Sequence, residues 1–313
     1  MTADPERPAS LLKTLWIYQA ERFPLLRTAL LIAVFSAASL CVSAHLAGRP
    51  LPQLTTFIAI WLVVLLLFFQ MRVCDEIKDY EDDLRFRPER PIQRGLVSLG
   101  VIKALGVGCI APMLVLTFLV APGLVPFLAA VWLWLGLMTV EFFAPRWLKA
   151  RPFLYLGSHM AIMPLIDIFI TAAEWLPAQG SAPDGLWLFI MLSYANGCVI
   201  EIGRKIWAPE NERPGVETYS GLLGPARGAY LWLGFAALAF ILLLGVGYVA
   251  GSALIIGLIG ALMLAFVAGK ATSFARAPSA GGQKSIDQAS GLWVFACYSL
   301  AGFVPAFARW ITA

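Results

Sequence analysis

Two stretches carry most of the side chains able to do chemistry. The first, DEIKDYEDDLRFRPERPIQRG, occupies residues 75–95. Continued as a helix, it sets Asp75, Asp79 and Asp82/Asp83 at i, i+4 and i+7/i+8, with Glu76, Asp79 and Asp83 as an overlapping set on one face. Like charges at that spacing repel, and a hard cation relieves the repulsion. Mg²⁺ suits them, because it takes oxygen ligands, keeps some of its waters and is commonly shared with substrate phosphates. Arg85, Arg87, Arg90 and Arg94 follow at once, and guanidinium groups grip phosphate oxygens two at a time. Carboxylates beside arginines supply the two halves of a metal–diphosphate site. The competing reading is a solvated helix end, with Lys78, Arg85 and Arg87 paired to the acids and some arginines on lipid headgroups.

The second stretch, EIGRKIWAPENERPGVETYSGLLG, occupies residues 201–224. Glu201, Arg204 and Lys205 extend one helix face, and Glu201 and Lys205 at i, i+4 could pair with each other. Glu210, Glu212, Glu217 and Tyr219 follow, while Tyr194 and Asn196 lie on the apolar run just before. The two stretches echo each other: Glu76-Ile77 and Glu201-Ile202 open them, and Glu89-Arg90-Pro91 and Glu212-Arg213-Pro214 recur near their ends. Two further polar residues, His159 and Asp167, stand eight apart inside another apolar run. A charge in the middle of a membrane is costly and marks a candidate site, here for acceptor recognition or a base in a cavity. An interhelical hydrogen bond, or a protonated Asp167, is the plainer reading.

These residues must be held by membrane-spanning helices. Hydrophobic residues make up 60% of the 313, charged residues 13%, and the mean hydropathy is +0.78. A soluble chain carries roughly twice that charged fraction. Nine apolar runs fall at about 25–46, 54–74, 96–120, 124–143, 153–173, 186–200, 230–249, 251–267 and 292–311. Each approaches the roughly 20 residues that a helix needs to cross about 30 Å of hydrocarbon, and unalternating runs of that length span as helices. The fold class expected is therefore an all-α integral membrane protein. The small net charge of +4 is not gathered into a nucleic-acid patch. Basic residues lie instead after runs two, four, six and eight (Arg146, Lys149, Arg151, Arg227, Lys270, Arg276 and Lys284 among them), whereas the alternate loops hold only Arg49. Basic loops stay in the cytosol. This places the N-terminus and both polar stretches on the cytosolic side of a bacterial-type inner membrane, and the C-terminus outside.

The stretch 1–24 lacks a signal-peptide pattern and reads as a cytosolic, partly amphipathic segment. Residues 270–288, rich in Gly, Ser, Ala and Pro, read as a mobile linker. The five cysteines are isolated and read as small core residues. Trp16, Trp147, Trp175 and Trp187 stand at run ends, as an interfacial belt requires.

The chain resembles the UbiA prenyltransferase superfamily, whose members have nine transmembrane helices and acidic motifs after helices two and six. Aligned to the family's NDxxDxxxD…RP…G pattern, Asp75 takes the Asn slot, Glu76 the first Asp slot, and Asp79 and Asp83 the last two, with Arg90-Pro91 and Gly95 in the tail. Against DxxxDxxxG…TxxxxLG, Glu201 takes the first Asp slot and Thr218, Leu223 and Gly224 match the ending. Lys205 stands where the second Asp belongs, with Arg204 beside it. A cation there either holds diphosphate directly, or leaves Glu210 or Glu212 to fold back as the ligand, or marks a site altered for another molecule.

The resemblance implies a nine-helix bundle around a central cavity in residues 25–313, with related halves at about 25–143 and 153–267 and a last helix at 292–311. It implies a Mg²⁺-dependent enzyme that moves an isoprenyl group from its diphosphate to a lipophilic acceptor, an aromatic ring or another lipophilic nucleophile. Asp79, Asp83 and Glu201 are the expected catalytic residues, and Asp75, Glu76, Asp79, Asp83 and Glu201 the metal ligands. Arg90, Arg94, Arg204, Lys205 and Tyr219 are expected on the diphosphate, and Tyr194, Asn196, His159 and Asp167 on the acceptor or cavity. Membrane lipid is the surrounding partner; neither a nucleic acid nor an obligate protein partner is expected. Two rivals use the same scaffold: a terpene cyclase acting on a prenyl diphosphate alone, and a transporter or lipid-binding protein with no reaction.

Overall fold

The structure, a computed structural model, describes residues 10–312, with side chains described for 10–307. Asp4, Glu6 and Arg7 of the expected N-terminal segment lie outside the described residues, as do the side chains at the end of the last expected helix. Helix α1 (Leu11–Arg22) precedes the first span, α2 (Leu25–Leu46). The chain continues through α3 (Leu54–Lys78), a short α4 (Tyr80–Phe86), α5 (Leu99–Gly108), α6 (Ile110–Val120), α7 (Val125–Thr139) and α8 (Pro145–Lys149). The second part comprises α9 (Pro152–Met160), α10 (Ile162–Gln179), α11 (Leu186–Arg204), α12 (Tyr219–Leu223), α13 (Pro225–Val249), α14 (Ala253–Arg276) and α15 (Ala280–Thr312).

Among the described residues nine helical spans are long and apolar enough to cross a membrane, matching the nine runs. Two of them are interrupted. The third span divides at Cys109 and the fifth at Ala161, in each case three residues before a proline, Pro112 and Pro164. Proline has no N–H for the i−4 carbonyl and its ring crowds it, so the helix restarts there. The linker expected at 270–288 is helical except at 277–279, since α14 runs to Arg276 and α15 begins at Ala280. Ser279 caps the start of α15, its hydroxyl accepting from the Gly282 N–H at 3.2 Å. Small residues that read as linker extend a membrane helix outward once such a cap satisfies its first amides.

Helix α11 is the centre of the bundle. Of its apolar window 72% is buried, against 17% for α14, and it packs on α9, α10, α13, α15 and α2. It carries Tyr194, Asn196 and Glu201, so the second polar cluster grows directly from the most enclosed element. Helix α3 carries the first cluster at its end and packs on α2, α6, α7 and α10.

Where α15 crosses α2 the backbones nearly touch. A Cβ added at Gly302 would stand 2.5 Å from the Cα and 2.6 Å from the carbonyl oxygen of Ala38. Lipid tails give helices no hydrophobic reason to associate, so such close small-residue crossings supply much of the packing. Because the obstacle is backbone, it cannot swing aside. Gly302→Ala should cost about 1–3 kcal/mol, as overpacking does. A thermal melt of the detergent-purified protein checks this, with Gly269→Ala as control: no atom lies within 4 Å of a Cβ there.

Candidate active site

The two polar stretches meet at one end of the bundle. The Phe86 ring fills the place a Cβ of Gly215 would take, and Gly215 has φ +80°. That backbone conformation and that space both require glycine. Beside this contact Glu89 and Arg213 approach to 3.9 Å, and Asp75 interacts electrostatically with Arg204. Between the loops stands Tyr155 of α9. Its hydroxyl accepts from Lys78 Nζ at 2.9 Å, and Lys205 Nζ lies 5.6 Å from its ring centroid. Lys205 Nζ is also 2.9 Å from Glu201 Oε1, and Arg204 bonds the other oxygen of the same carboxylate. The chain Lys78–Tyr155–Lys205–Glu201–Arg204 thus joins the first cluster to the second.

Burial separates the expected metal ligands into two groups. Glu76 is 1% exposed; its Oε1 accepts from Arg22 Nε at 2.7 Å, with Arg72 Nε 3.5 Å away. Asp83 is likewise 1% exposed, with Arg87 at 3.1 Å on one oxygen and Arg90 on the other. Buried Glu201 is shared by Arg204 and Lys205. In contrast the side chain of Asp75 is 45% exposed with Arg72 3.2 Å away, and that of Asp79 is 37% exposed with Lys78 at 4.0 Å. Partial withdrawal of the Asp79 carboxyl from water raises its pKa above the usual carboxylate value; Asp75 and Asp83 add to this, while Lys78 and Arg72 oppose it. Among the described residues no three His, Cys, Asp or Glu side chains are grouped so as to hold a metal ion by themselves. Asp75 and Asp79 nevertheless suit a hard cation completed by phosphate oxygens and water, which is how Mg²⁺ is ordinarily held.

The remaining expected residues are distributed unevenly. Arg94 binds Glu21 of α1 at 2.7 and 2.9 Å on an exposed rim, away from the Tyr155 cluster. Tyr219 is buried at the start of α12, its N–H donating to the Lys205 carbonyl at 2.9 Å. Burial, then nearby Glu201, raises its phenol pKa. Neither acid that could have folded back toward Glu201 does so. Glu212 accepts from Thr218 and Ser220 at 2.7–2.8 Å, and Glu210 accepts from the Ala280 N–H at 2.7 Å.

Deeper in the bundle, Tyr194 donates to the Gly157 carbonyl at 3.3 Å. Asn196 is fully buried, with Cys297 against its side chain. Asp167, also fully buried, accepts from Ser39 and Tyr298, both at 2.6 Å. It joins α10 to α2 and α15. His159 stacks on Tyr155, ring centroids 3.8 Å apart and planes at 12°, with the edge of Phe142 against it. Phe142 lies in a left-handed turn, residues 141–143 having φ of 47°, 53° and 58°. Such strain persists only where surrounding contacts enforce it.

The sequence reading missed Arg22, Arg72 and Tyr155 as parts of this arrangement, and the pair formed by Arg49 and Glu174. Arg72 precedes Glu76 by one helical turn, and Tyr155 precedes His159 by one turn, so both carried a local signal. Arg22 lies 54 residues from Glu76 and carried none.

A family model described as the UbiA prenyltransferase family matches residues 36–285. Among solved structures, the apo form of a UbiA homologue from Aeropyrum pernix K1 has a TM-score of 0.66 and 17% identity, covering 89% of this chain and 98% of that one. A chain from structural and mechanistic work on digeranylgeranylglyceryl phosphate synthase in membranes has a TM-score of 0.61 and 15% identity, covering 93% and 98%. At these identities the two structures bear on the fold alone. No curated protein matches the sequence.

Burial predicts different roles within the first motif. Asp83→Asn strips a buried carboxylate from two arginines and should destabilise by about 1–3 kcal/mol, while half-exposed Asp79→Asn should stay within about 0.5 kcal/mol of the parent. Thermal melts of the two purified variants, run side by side, check the contrast.

Proposed function

The chain belongs to the UbiA prenyltransferase family, and from that premise we propose that it transfers an isoprenyl group from its diphosphate to a lipophilic acceptor where its two polar loops meet. The carrying observation is the convergence of Lys78 and Lys205 on Tyr155, with Arg204 alongside. Two ammonium groups and a guanidinium at one bundle end suit a diphosphate, whose charge grows as it departs. Breaking the allylic C–O bond leaves a carbocation on the prenyl group and the bonding pair on diphosphate, so stabilising that leaving group is the main demand on the site. Apolar helices beneath exclude water from the cation.

The family's enzymes generally use Mg²⁺. In this chain Asp75 and Asp79 would hold it, with their carboxylates the least committed of the set. When bound, the ion supplies further positive charge to the leaving diphosphate. Glu76, Asp83 and Glu201 have their charge met by arginine or lysine, so they position the cations around the site. Lys205 occupies the slot of a family aspartate, so a positive side chain stands there in place of a metal ligand and, with Arg204, surrounds Glu201. The basic loops support a cytosolic opening to the site, with the protein in a bacterial-type inner membrane. The echo between the two motifs supports a division into related halves, about 25–143 and 153–267.

Diphosphate release from geranylgeranyl diphosphate by the purified full chain in nanodiscs tests this reading. Asp79→Ala should lower turnover on the order of a hundredfold, as loss of one electrostatic contributor to a transition state does. Lys205→Met should reduce kcat/KM by about 10- to 100-fold, the worth of one charge-assisted hydrogen bond. Parental release rates in Asp79→Ala protein would sink the mechanism.

A further inference from the structure

One nitrogen in the bundle is held ready for a proton that nothing in the protein supplies. His159 is 5% exposed, and its Nδ1 lies 3.0 Å from the carbonyl oxygen of Tyr155. A carbonyl oxygen only accepts, so Nδ1 carries the hydrogen. The neighbouring Ser158 hydroxyl, 3.3 Å from Nδ1, directs its own proton to that same carbonyl at 3.1 Å and does not compete as a donor. The neutral ring therefore has its lone pair on Nε2, and Nε2 is buried without any hydrogen-bond partner. Nor can the ring turn to find one, since Tyr155 stacks on its face and Phe142 meets it edge-on.

The position of this lone pair gives it meaning. Tyr155, on which His159 stacks, is the residue whose hydroxyl accepts from Lys78 and whose ring borders Lys205. The orphaned acceptor thus lies one aromatic ring from the cations assigned to the diphosphate, on the bundle side of them. We infer that His159 is the base that receives the acceptor's proton, and that the acceptor presents a hydroxyl to it.

The inference rests on the prenyl-transfer reading above. The C–O bond to diphosphate breaks, and its electron pair leaves with the diphosphate. The acceptor oxygen forms a new bond to the prenyl carbon, its O–H bond breaks, and the proton passes to Nε2. Water takes that proton from the imidazolium as product leaves. Asp167, eight residues further along the chain, already has a donor on each oxygen, Ser39 and Tyr298, and joins α10 to α2 and α15.

The chain has two histidines, so ¹⁵N-histidine spectra can be assigned with His45→Gln. In the full chain with geranylgeranyl diphosphate bound, His159 Nε2 should show the resonance of an unprotonated nitrogen. It should shift when para-dodecylphenol is added and not when the methyl ether, para-dodecylanisole, is added. In parallel, His159→Gln should prenylate the phenol at least tenfold more slowly than the parent while still binding geranylgeranyl diphosphate. A protonated Nε2, an equal response to phenol and ether, or parental prenylation by the variant overturns the assignment. The spectra decide it even where the phenol is not turned over or the variant does not fold. A parent that binds geranylgeranyl diphosphate but never releases diphosphate, with or without the phenol, overturns instead the transfer reading.

Discussion

A carboxylate withdrawn from water must acquire a positive partner or give up its charge, and the polar end of this protein is built around that requirement. Desolvating an ion costs several kcal/mol even after the protein relaxes. Glu76, Asp83 and Glu201 are buried, and each has two cations within ion-pair distance, Arg22 with Arg72, Arg87 with Arg90, and Arg204 with Lys205. Glu174 at the other end of α10 follows the same rule, gripped by Arg49 through two nitrogens and hydrogen-bonded by Ser43. Asp75 and Asp79 are more exposed, and each has a single cation within ion-pair distance, Arg72 at 3.2 Å and Lys78 at 4.0 Å.

The same pairings tie the outer elements to the bundle. Arg22 and Glu21, adjacent on α1, reach Glu76 and Arg94 respectively, so α1 straps the first motif. Its Leu12 and Trp16 remain exposed beside that strap, a distribution suited to a helix lying at the membrane interface. Lys205 extends the logic to the site itself. With lysine in a slot that the family pattern gives to aspartate, Glu201 is held in ion pairs with Arg204 and Lys205, and the charge at that position is positive where the pattern makes it negative.

The spans were legible because twenty apolar residues have few alternatives to crossing a membrane. The two motifs were legible because acids and arginines recur at helical spacing. Helical spacing, however, says only which residues share a face and nothing about depth. The sequence therefore grouped Glu76, Asp79 and Asp83 as equivalent, where the structure separates them by burial. Arg22 was invisible for a different reason: its partner lies on another helix, and no local pattern announces a long-range pair. The linker reading failed at 270–288 because glycine, serine and proline lower local helix propensity, but a cap at Ser279 and packing of α14 on α15 outweigh propensity in a bundle.

His159 and Asp167 show what the structure adds to such a reading. In sequence they are the same kind of observation, a polar residue inside an apolar run, and the same general argument about cost in a bilayer applies to both. Their surroundings part them. Asp167 has two hydroxyl donors from two other helices, so its polarity is consumed in holding α2, α10 and α15 together. His159 spends one nitrogen on its own backbone and keeps the other in an enclosed place with no donor opposite. An unmet acceptor there costs on the order of 1–3 kcal/mol, and the strained turn at 141–143 that presents Phe142 to its ring adds to that cost. A bundle that needed only adhesion at this point would be more stable with an apolar side chain. The arrangement makes physical sense when the missing partner arrives with a ligand.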